Sequence, residues 1–458
     1  MSKIIGLVDC DCFFASCEKV FRPDWRDKPL VVLSNNDGCV VARSPEAKAL
    51  QIPMGEPYFK LEPFARARGV VTRSANYTLY GDMSRRVMSS LETWSPYVEI
   101  YSIDEAFLDL TERFTQTNGL FVGEDEDPPT GKSLGDVPRK TRVELEKLAE
   151  EIVTKIRKWT GIPVSLGLAP TRTLAKAASR IAKDECARTG KKYALLFTRE
   201  ERAAALRRLP VEKVWGVGRG LLRSLNASGV RTAFDLAKLD PRFMRDAFSI
   251  VQERLVRELR GELMYDRQLP ESQKSLQVSR SFGETLDSLE ELEKPVATFA
   301  TKVAAKLRAR RLVASGLHVY IATNRFNANE PQHSAGAACT FSKPTNATPE
   351  ILKVALKLLR GIRAEGYAYK RAGVLALELL DESVANARGY LFEPDPSRPQ
   401  ETRERDQRLC VALDKINARM GKNSLFFAAE GVDRAWTPNS QFISPNYTTD
   451  WDALPVAR

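Results

Sequence analysis

Short apolar runs alternate in the N-terminal part of the chain with segments whose apolar side chains recur every three or four positions. The runs Ile4–Val8 and Leu30–Leu33 predict buried strands, because both are rich in β-branched residues and turn-forming residues follow the second. Helical spacing predicts amphipathic helices over Leu79–Trp94 and Leu145–Trp159, and residues 97–110 are strand-like. Strands that alternate with one-faced helices predict a sheet layered against helices.

The pattern changes in the second half of the chain. Residues 200–262 have helical spacing throughout. Later runs predict strands at 276–281, 317–323, 337–341 and 372–380, with helices at 296–312 and 349–362 between them. Residues 118–136 are rich in Gly, Pro and acidic residues and predict a flexible surface insertion. An α+β multidomain protein is therefore expected.

The length and net charge of the chain limit the classes of function that it can have. The 458 residues exceed what one hydrophobic core usually serves. The net charge of +11 favours a polyanionic partner, and nucleic acid is preferred over a membrane because no basic amphipathic anchor is found. Neither a secretory signal nor an apolar run of roughly 20 residues is present, so we expect a soluble protein of the cytoplasm.

The seven cysteines are scattered and odd in number, which does not suit a disulfide framework. Cys10, Cys12 and Cys17 lie close together and raise the alternative of a zinc site. A closed zinc site needs four nitrogen or sulfur ligands, however, and the chain has only two histidines, His318 and His333. Reduced thiols are therefore predicted.

Three acidic residues interrupt apolar strand-like sequence: Asp9, Asp104 and Glu105. Carboxylates are the protein ligands that magnesium prefers, and charges in such surroundings require a compensating cation. The alternative is that these acids are helix caps or ion-pair partners. Asp104 and Glu105 should point to opposite faces of a regular strand, so both can bind metal only near a strand end. Asp11 shares the face of Asp9 and remains a rival ligand.

Five ordered motifs resemble those of the Y-family translesion DNA polymerases. AspCysAspCysPhePheAlaSerCysGlu at 9–18 and TyrSerIleAspGluAlaPheLeuAspLeu at 101–110 resemble the paired metal-binding motifs of that family. Segments 76–84, 165–179 and 279–284 match it in the same order. Segments 34–43 and 444–455 resemble its UmuC-type branch, the catalytic subunit of bacterial DNA polymerase V, so the resemblance covers nearly the whole chain.

The resemblance implies a right-hand polymerase with a ferredoxin-like palm. The implied domains are a palm at 1–28 and 77–199, small fingers at 29–76, a helix-hairpin-helix thumb at 200–268, an α/β little finger at 269–384, and a linker with a small C-terminal domain at 385–458. The implied activity is error-prone DNA-directed DNA synthesis in the SOS damage response. Two Mg²⁺ ions, with Mn²⁺ as an alternative, would assist nucleotide transfer from a dNTP to a primer 3'-hydroxyl.

Carried over to this sequence, the resemblance makes Asp9, Asp104 and Glu105 the metal ligands and places Asp11 behind them. The backbone at Phe13 would contact the metal or the triphosphate. Phe14 matches the steric gate, an aromatic ring that leaves no room for a ribose 2'-hydroxyl. Core packing is the commoner fate of a phenylalanine and is the alternative role.

Basic residues at two matching positions would bind the triphosphate. Lys48 occupies the position in the fingers, and Arg172 replaces a lysine that is more usual in the wider family. This exchange keeps the charge and changes the donor geometry. Pro45 stands where many relatives have a tyrosine that touches the phosphates, so that contact is absent here.

Two features suit contact with the DNA backbone. The turn at Gly216 and Gly218 resembles the hairpin of the family thumb, whose free N–H groups can hold a phosphate, although it can equally be a structural turn. Lys302, Lys306 and Arg310 recur every four residues beside an apolar stripe. Such a row is ordinarily a solvated surface, but beside a polymerase core it suits a grip that is independent of base sequence.

The resemblance also implies partners: primer-template DNA, dNTP, a UmuD'-type accessory dimer, RecA and the sliding clamp, in the bacterial cytoplasm at the nucleoid. Relatives carry a Gln-x-x-Leu-Phe type clamp peptide, whereas this chain keeps Leu391 and Phe392 without the Gln. Two alternatives are a non-catalytic DNA-binding scaffold and a nucleotidyl cyclase. The retained acids disfavour the first, and the predicted thumb and little finger disfavour the second.

Overall fold

A computed structural model of the protein describes residues 3–118, 139–265, 273–387, 400–421, 423–432 and 436–454. The chain divides into two compact units. Unit 1 comprises Met1–Ser34, Gly38–Leu269 and Phe442–Arg458, and unit 2 comprises Asn35–Asp37 and Pro270–Gln441. Unit 1 is therefore discontinuous in sequence, because its last segment follows unit 2 along the chain.

Unit 1 contains eight strands and twelve helices among its described residues. In chain order, the first ten elements are β1 (Ile5–Cys10), α1 (Phe13–Val20), β2 (Leu30–Leu33), β3 (Val40–Arg43), α2 (Pro45–Ala49), α3 (Tyr58–Ala67), β4 (Val71–Ser74), α4 (Tyr77–Leu91), β5 (Val98–Ile100) and β6 (Glu105–Asp109). The remaining elements are α5 (Thr111–Asn118), α6 (Arg139–Thr160), β7 (Val164–Ala169), α7 (Arg172–Thr189), β8 (Tyr193–Leu195), α8 (Arg199–Arg208), α9 (Arg219–Ala227), α10 (Ala233–Lys238), α11 (Pro241–Ala247) and α12 (Ile250–Arg260).

The central sheet of unit 1 has the order β5-β6-β1-β7-β8. Strand β1 lies antiparallel to both β6 and β7, and β8 runs parallel to β7. Alternation along β1 divides its side chains between two cores. Val8 and Cys10 pack in the core that includes residues of α1, α4 and α6, whereas Ile5 and Leu7 pack with residues of α7 and of the later helices. Asp9 continues the row of Ile5 and Leu7 and therefore faces α7.

A smaller sheet, of order β3-β2-β4, has a core of its own. Strand β2 pairs parallel to β4 and antiparallel to β3. Residues 199–260 form the five helices α8–α12, which confirms the helical prediction for this stretch. Helices α8 and α10 begin with capping boxes at Thr198 and Thr232. In each, the threonine hydroxyl accepts a hydrogen bond from the backbone N–H three residues later, and the acidic side chain at that later position accepts one from the threonine backbone N–H.

Unit 2 is an antiparallel sheet with helices. Its elements are β9 (Ser275–Leu286), α13 (Leu289–Ala309), β10 (Leu312–Thr323), β11 (Ser334–Thr345), α14 (Thr348–Ile362), β12 (Tyr369–Asp381), α15 (Glu382–Ala387) and α16 (Gln400–Met420). The sheet order is β11-β10-β12-β9. The apolar sides of α13 and α14 share one core with the buried side chains of the strands. Trp436 joins this core and lies edge-on to Phe299.

The predicted α+β multidomain fold is confirmed, but the bounds of some predicted elements differ in the structure. The strand expected over 97–110 is broken, because β5 ends at Ile100 and β6 begins only at Glu105. Helix α13 begins earlier than predicted and contains Pro295. Of the residues after 385, those up to Gln441 belong to unit 2 and the later ones to unit 1.

Some predictions fall on residues that are not described: positions 119–136 of the acidic insertion, and Leu391 and Phe392 of the clamp peptide. Within the described ranges, no helix is both long enough and apolar enough to span a bilayer.

Candidate active site

The pairing of β1 with β6 brings two of the predicted metal ligands together. Asp9 is the register partner of Glu105, so the two carboxyl groups leave neighbouring strands at the same level. Asp104 lies in the turn before β6, where its carbonyl accepts the N–H of Cys10 at 2.8 Å. Ser102 Oγ donates to the Asp104 carboxylate at 2.5 Å and fixes this turn. The break before Glu105 removes the difficulty that adjacent strand residues point to opposite faces.

Two lysines of α7 contact this acidic pair. Lys183 forms an ion pair with Asp9, and Lys176 Nζ lies 2.8 Å from Glu105 Oε2. A compensating cation was expected from the sequence, but these two lysines were not identified. Their spacing of seven places both on one side of α7, and this spacing is the signal that could have revealed them.

Gly167 allows α7 to lie so close to the sheet. A Cβ atom at this position would come within 2.1 Å of the Ala175 carbonyl oxygen and 2.3 Å of the Ser179 nitrogen, which are backbone atoms of α7. Only glycine can occupy the site without moving the helix. The close approach of α7 therefore helps to bring its lysines to Asp9 and Glu105.

Asp11 is engaged with other donors. Lys192 Nζ lies 2.8 Å from its carboxylate, Ser165 Oγ donates to it at 2.9 Å, and Lys183 Nζ is 3.5 Å away. These contacts on both carboxylate oxygens leave Asp11 less available to a metal than Asp9. They favour the interpretation that Asp11 lies behind the ligands.

The electrostatics of Asp9 indicate a shortage of positive charge. The pKa of Asp9 is raised to about 7: burial is the main cause, the adjacent Glu105 carboxyl adds to it, and Lys183 opposes both effects. Burial lowers the pKa of Lys183, but Asp9 and Asp11 more than offset this, so the net pKa is raised and the ammonium stays protonated. A divalent cation would supply the positive charge that one lysine does not.

A cavity of about 250 Å³ opens beside these groups and is lined by Asp9, Glu105, Lys176, Lys183 and Trp215, among others. Within the described ranges, no three His, Cys, Asp or Glu side chains form a ready-made metal site. Magnesium commonly takes only one or two protein carboxylates and completes its shell with substrate phosphates and water. The facing pair Asp9 and Glu105 therefore fits magnesium that is bound together with a triphosphate.

Arg172 lies elsewhere on α7. It is 8% exposed, and its guanidinium donates to both carboxylate oxygens of Glu99, at 2.7 and 2.5 Å. It also lies over the Phe107 ring, 5.1 Å from the ring centroid. Arg172 starts α7 and lines a different cavity, of about 310 Å³. The structure thus brings Lys183, and not Arg172, into contact with Asp9.

Phe13 and Phe14 are the first two residues of α1, directly after the turn that follows β1. Cys12 adopts a left-handed conformation (φ 49°, ψ 42°), and α1 begins at Phe13 without a side-chain cap. The first N–H groups of such a helix lack intrahelical partners and can bind an anion. Lys48 reaches the same turn, where its Nζ lies 3.1 Å from Cys12 Sγ. Lys48, the residue predicted to bind the triphosphate from the fingers, therefore lies beside the start of α1.

Phe14 is half-buried and rests on aromatic residues of α4. Its ring stacks on Tyr80 with 4.5 Å between centroids and 16° between planes. Tyr77 meets it edge-on at 6.0 Å. Phe14 is therefore a rigidly supported ring whose remaining surface is accessible.

The comparisons with known proteins agree with this geometry. The impB/mucB/samB family matches residues 8–180, its C-terminal domain matches 273–389, and a domain of unknown function matches 407–457. The protein UmuC of Salmonella typhimurium is 39% identical over 98% of this chain and 99% of its own length. ImpB of the same organism is 36% identical over 99% of this chain and all of its own.

This chain belongs to the impB/mucB/samB family of Y-family DNA polymerases. DNA polymerase IV of Brucella melitensis is a more distant relative, at 27% identity over 96% of this chain and 88% of its own. A solved chimera of the Y-family polymerases Dbh and Dpo4 shares the fold, with a TM-score of 0.60 at 21% identity over 82% of this chain and 98% of that one. The predicted family, its UmuC-type branch and the polymerase fold are confirmed.

The DNA-contact residues predicted for this Y-family chain are found in two places. Gly216 has φ +91°, and Gly218 precedes α9 at an exposed turn with open space around it. Lys302 and Lys306 are exposed on α13, and Arg310 follows the end of that helix and bonds Gln273. Lys302 also lines an apolar groove between α13 and α16. The turn and the basic row are each accessible, as contact with a phosphate backbone requires.

Proposed function

We propose that this polymerase transfers a nucleotide from a dNTP to the 3'-hydroxyl of a primer, opposite a damaged template strand. The observation that carries the proposal is the facing pair of carboxylates, Asp9 and Glu105, held by Lys183 and Lys176 beside a cavity. The similarity to UmuC supports error-prone synthesis in the SOS damage response. Membership of the Y family supports a reaction that copies a template.

Asp9, Glu105 and Asp104 are the residues that would hold magnesium, or manganese in its place. When bound, two such ions would activate the primer hydroxyl and neutralise the charge that develops on the triphosphate. The raised pKa of Asp9 supports this assignment, because a carboxylate short of positive charge attracts a cation.

The chain's own residues position the triphosphate. Lys183 contacts Asp9 and Asp11 and can exchange Asp9 for a phosphate oxygen. Lys48 and the free N–H groups at Phe13 would bind further phosphate oxygens beside the start of α1. We place Lys183 ahead of Arg172 in this role, because Arg172 is already occupied by Glu99.

Phe14 would act as the steric gate. Its ring is supported from behind by Tyr80, so it cannot retreat from a ribose 2'-hydroxyl without breaking the stack. Replacement by alanine should admit ribonucleotides, and an unchanged preference for deoxyribonucleotides would remove the gate role.

The remaining domain and partner assignments follow from the family resemblance. We propose that the five-stranded sheet is the palm, the β3-β2-β4 sheet the fingers, α8–α12 the thumb and the sheet of unit 2 the little finger. Gly216, Gly218, Lys302, Lys306 and Arg310 would contact primer-template DNA. A UmuD'-type dimer, RecA and, through Leu391 and Phe392, the sliding clamp are the proposed protein partners.

Primer extension with Mg²⁺ tests the proposed function. The unmodified chain should extend a primer, across an abasic site as well as on an intact template, and a chelator should abolish the activity. Asp104→Ala should also abolish extension while DNA binding stays near normal. Extension by this variant at the parental rate would contradict the metal assignment. An unmodified chain that binds DNA but never extends a primer would favour a scaffold role instead.

A further inference from the structure

The segment Phe442–Tyr447, called here the C-terminal strap, is bound to the small sheet of unit 1. Its Phe442 N–H donates to Ser74 Oγ at 2.9 Å, and its carbonyl accepts the Ser74 N–H at 3.2 Å. The Phe442 ring meets Tyr58 edge-on at 5.6 Å. Ser74 is the last residue of β4, so the strap is fastened where that strand ends.

Asn76 connects the strap to helix α4. Its Oδ1 accepts the Leu79 N–H at 3.1 Å and so caps the helix. Its Nδ2 donates to the Ser444 carbonyl at 2.9 Å. Asn76 is 2% exposed, so both bonds are shielded from water. One side chain therefore begins α4 and holds the strap.

Ser444 continues this network to helix α1. Ser444 Oγ donates to Glu18 Oε1 at 3.0 Å, and the Tyr80 hydroxyl donates to the same atom at 2.6 Å. Glu18 is 1% exposed and Tyr80 is fully buried. Burial raises the pKa of Glu18, and the two hydroxyl donors oppose that rise. Removing either donor would leave a buried carboxyl group with less compensation.

The network ends at the gate. Phe14 and Glu18 are four residues apart on α1 and lie on the same side of the helix. Tyr80, which donates to Glu18, is also the ring that stacks on Phe14. Tyr77 and Tyr80 both belong to the first turns of α4, the helix that Asn76 caps. The strap thus bonds to both helices that define the position of the Phe14 ring.

We infer that the C-terminal strap is a positioning element for the steric gate, and that Ser444, Asn76 and Glu18 are positioning residues for discrimination between deoxyribose and ribose. The inference rests on the gate role proposed above for Phe14. It gives a role to part of the domain of unknown function that matches residues 407–457. A ring displaced by roughly 1 Å no longer excludes a hydroxyl group as effectively, because sterically enforced geometry is lost over such distances.

The experiment measures kcat/KM for a dNTP and for the matching rNTP with the full-length chain, primer-template DNA and Mg²⁺. The ratio of the two values is the sugar discrimination. Phe14→Ala should lower it most. Ser444→Ala should lower it by about fivefold, since the hydroxyl donates to Glu18 and accepts from Asn76 Nδ2, and both bonds are lost. Ile443→Ala is the control, because this neighbouring side chain is exposed and should leave the ratio unchanged.

A second variant tests the route through Glu18. Tyr80→Phe removes the hydroxyl and keeps the stacked ring, and it should lower the discrimination as Ser444→Ala does. The double variant should lower it by less than the product of the two single effects, because both act on one carboxylate. A purely structural strap would lower the melting temperature without changing the ratio of two substrates measured on the same enzyme.

The outcomes separate the two proposals. If Phe14→Ala leaves the discrimination unchanged, the gate role fails and the inference fails with it. If Phe14→Ala lowers the discrimination but Ser444→Ala and Tyr80→Phe do not, the gate role stands and only the strap inference is overturned.

Discussion

The two large sheets of this protein differ in the charged side chains that they place next to their cores. The five-stranded sheet has apolar cores on both faces and still contains Asp9 and Glu105, each in contact with a lysine of α7. In the strands of the four-stranded sheet, the buried polar side chains are the uncharged residues Thr323 and Thr345 among those described. Lys302 and Lys306 of α13, the helix that shares the core of this sheet, are exposed, and Lys370 of β12 is half-buried.

This difference follows from what each region is proposed to do. Charges act most strongly on a reaction when they are fixed and partly shielded from water, where the effective dielectric constant is low. Holding a DNA backbone without reading its bases needs only solvated cations in rough register with phosphates. Substitutions in the first sheet should therefore change rates steeply, and substitutions in unit 2 should change affinity gently.

The largest effect is expected from Asp9→Asn. The amide removes the negative charge that would bind magnesium, so single-nucleotide incorporation should fall by at least about 1000-fold, as a lost contribution of several kcal/mol requires. Rapid-quench incorporation assays measure the rate, and fluorescence anisotropy should show DNA affinity within about twofold of the parent. Incorporation within tenfold of the parent would contradict the assignment of Asp9.

Two of the basic residues of α7, Lys183 and Arg172, provide the second test. Lys183→Met should lower kcat/KM for the dNTP by about 100-fold, because a triphosphate contact is lost near the reacting atoms. Arg172→Met should instead lower the free energy of unfolding by about 2 kcal/mol, since the Glu99 pair is broken, and should change kcat/KM little.

Steady-state incorporation and denaturant unfolding of both α7 variants distinguish these effects. The reverse result, with Arg172→Met the weaker catalyst, would restore Arg172 as the principal triphosphate ligand.

The glycines of the two sheets provide the third test. Gly167→Ala should destabilise the protein by about 2 kcal/mol and slow incorporation, because the new Cβ would press on the backbone of α7. Gly336→Ala in β11 is the matched control. Its Cβ would meet the His318 ring at 2.7 Å, and a side-chain end can rotate away.

Thermal unfolding of the two glycine variants should therefore show a lower melting temperature for Gly167→Ala only. Equal losses would mean that the close approach of α7 is not what constrains position 167.

The smallest effect is expected from the basic row of α13. Replacing Lys302 and Lys306 with alanine should weaken DNA binding by about threefold to tenfold at low salt and flatten its salt dependence by about two phosphate contacts. Lys353 and Lys357, exposed on α14, give a control with the same loss of charge. Equal effects of the two double variants in a salt titration would show that net charge, and not the row, determines affinity.

The positions of Asp9 and Glu105 near strand ends could be predicted from the sequence, because strand alternation and turn residues are local signals, and their role as metal ligands stays a prediction. It did not predict the break at 101–104, since Tyr101, Ser102 and Ile103 read as continuous strand, and the Ser102 bond to Asp104 is a side-chain event. Lys176 and Lys183 were missed because their spacing of seven places both on one side of α7 but does not indicate which face of the sheet that side meets. That pairing depends on how closely Gly167 lets α7 approach.

The position at which the C-terminal strap binds could not be predicted from sequence periodicity either. Ser74 and Phe442 are 368 residues apart, and Asn76 and Ser444 are separated by the same number. Contacts of this separation leave no repeating pattern in either segment. The stacking of Phe14 on Tyr80 was not predicted for a related reason. Tyr80 is not one of the regularly spaced apolar residues that predicted helix α4.

The discontinuity of unit 1 affects how the protein is made. Because translation proceeds from the N-terminus, Phe442–Leu454 is synthesised only after the whole of unit 2, whereas its partners in unit 1, such as Ser74 and Asn76, are synthesised before it. Until then, Glu18 lacks its bond from Ser444, and the fastening beside β4 is missing. Unit 1 therefore cannot complete its fold before residue 442 and those after it are synthesised, and a chain interrupted before residue 442 lacks these bonds.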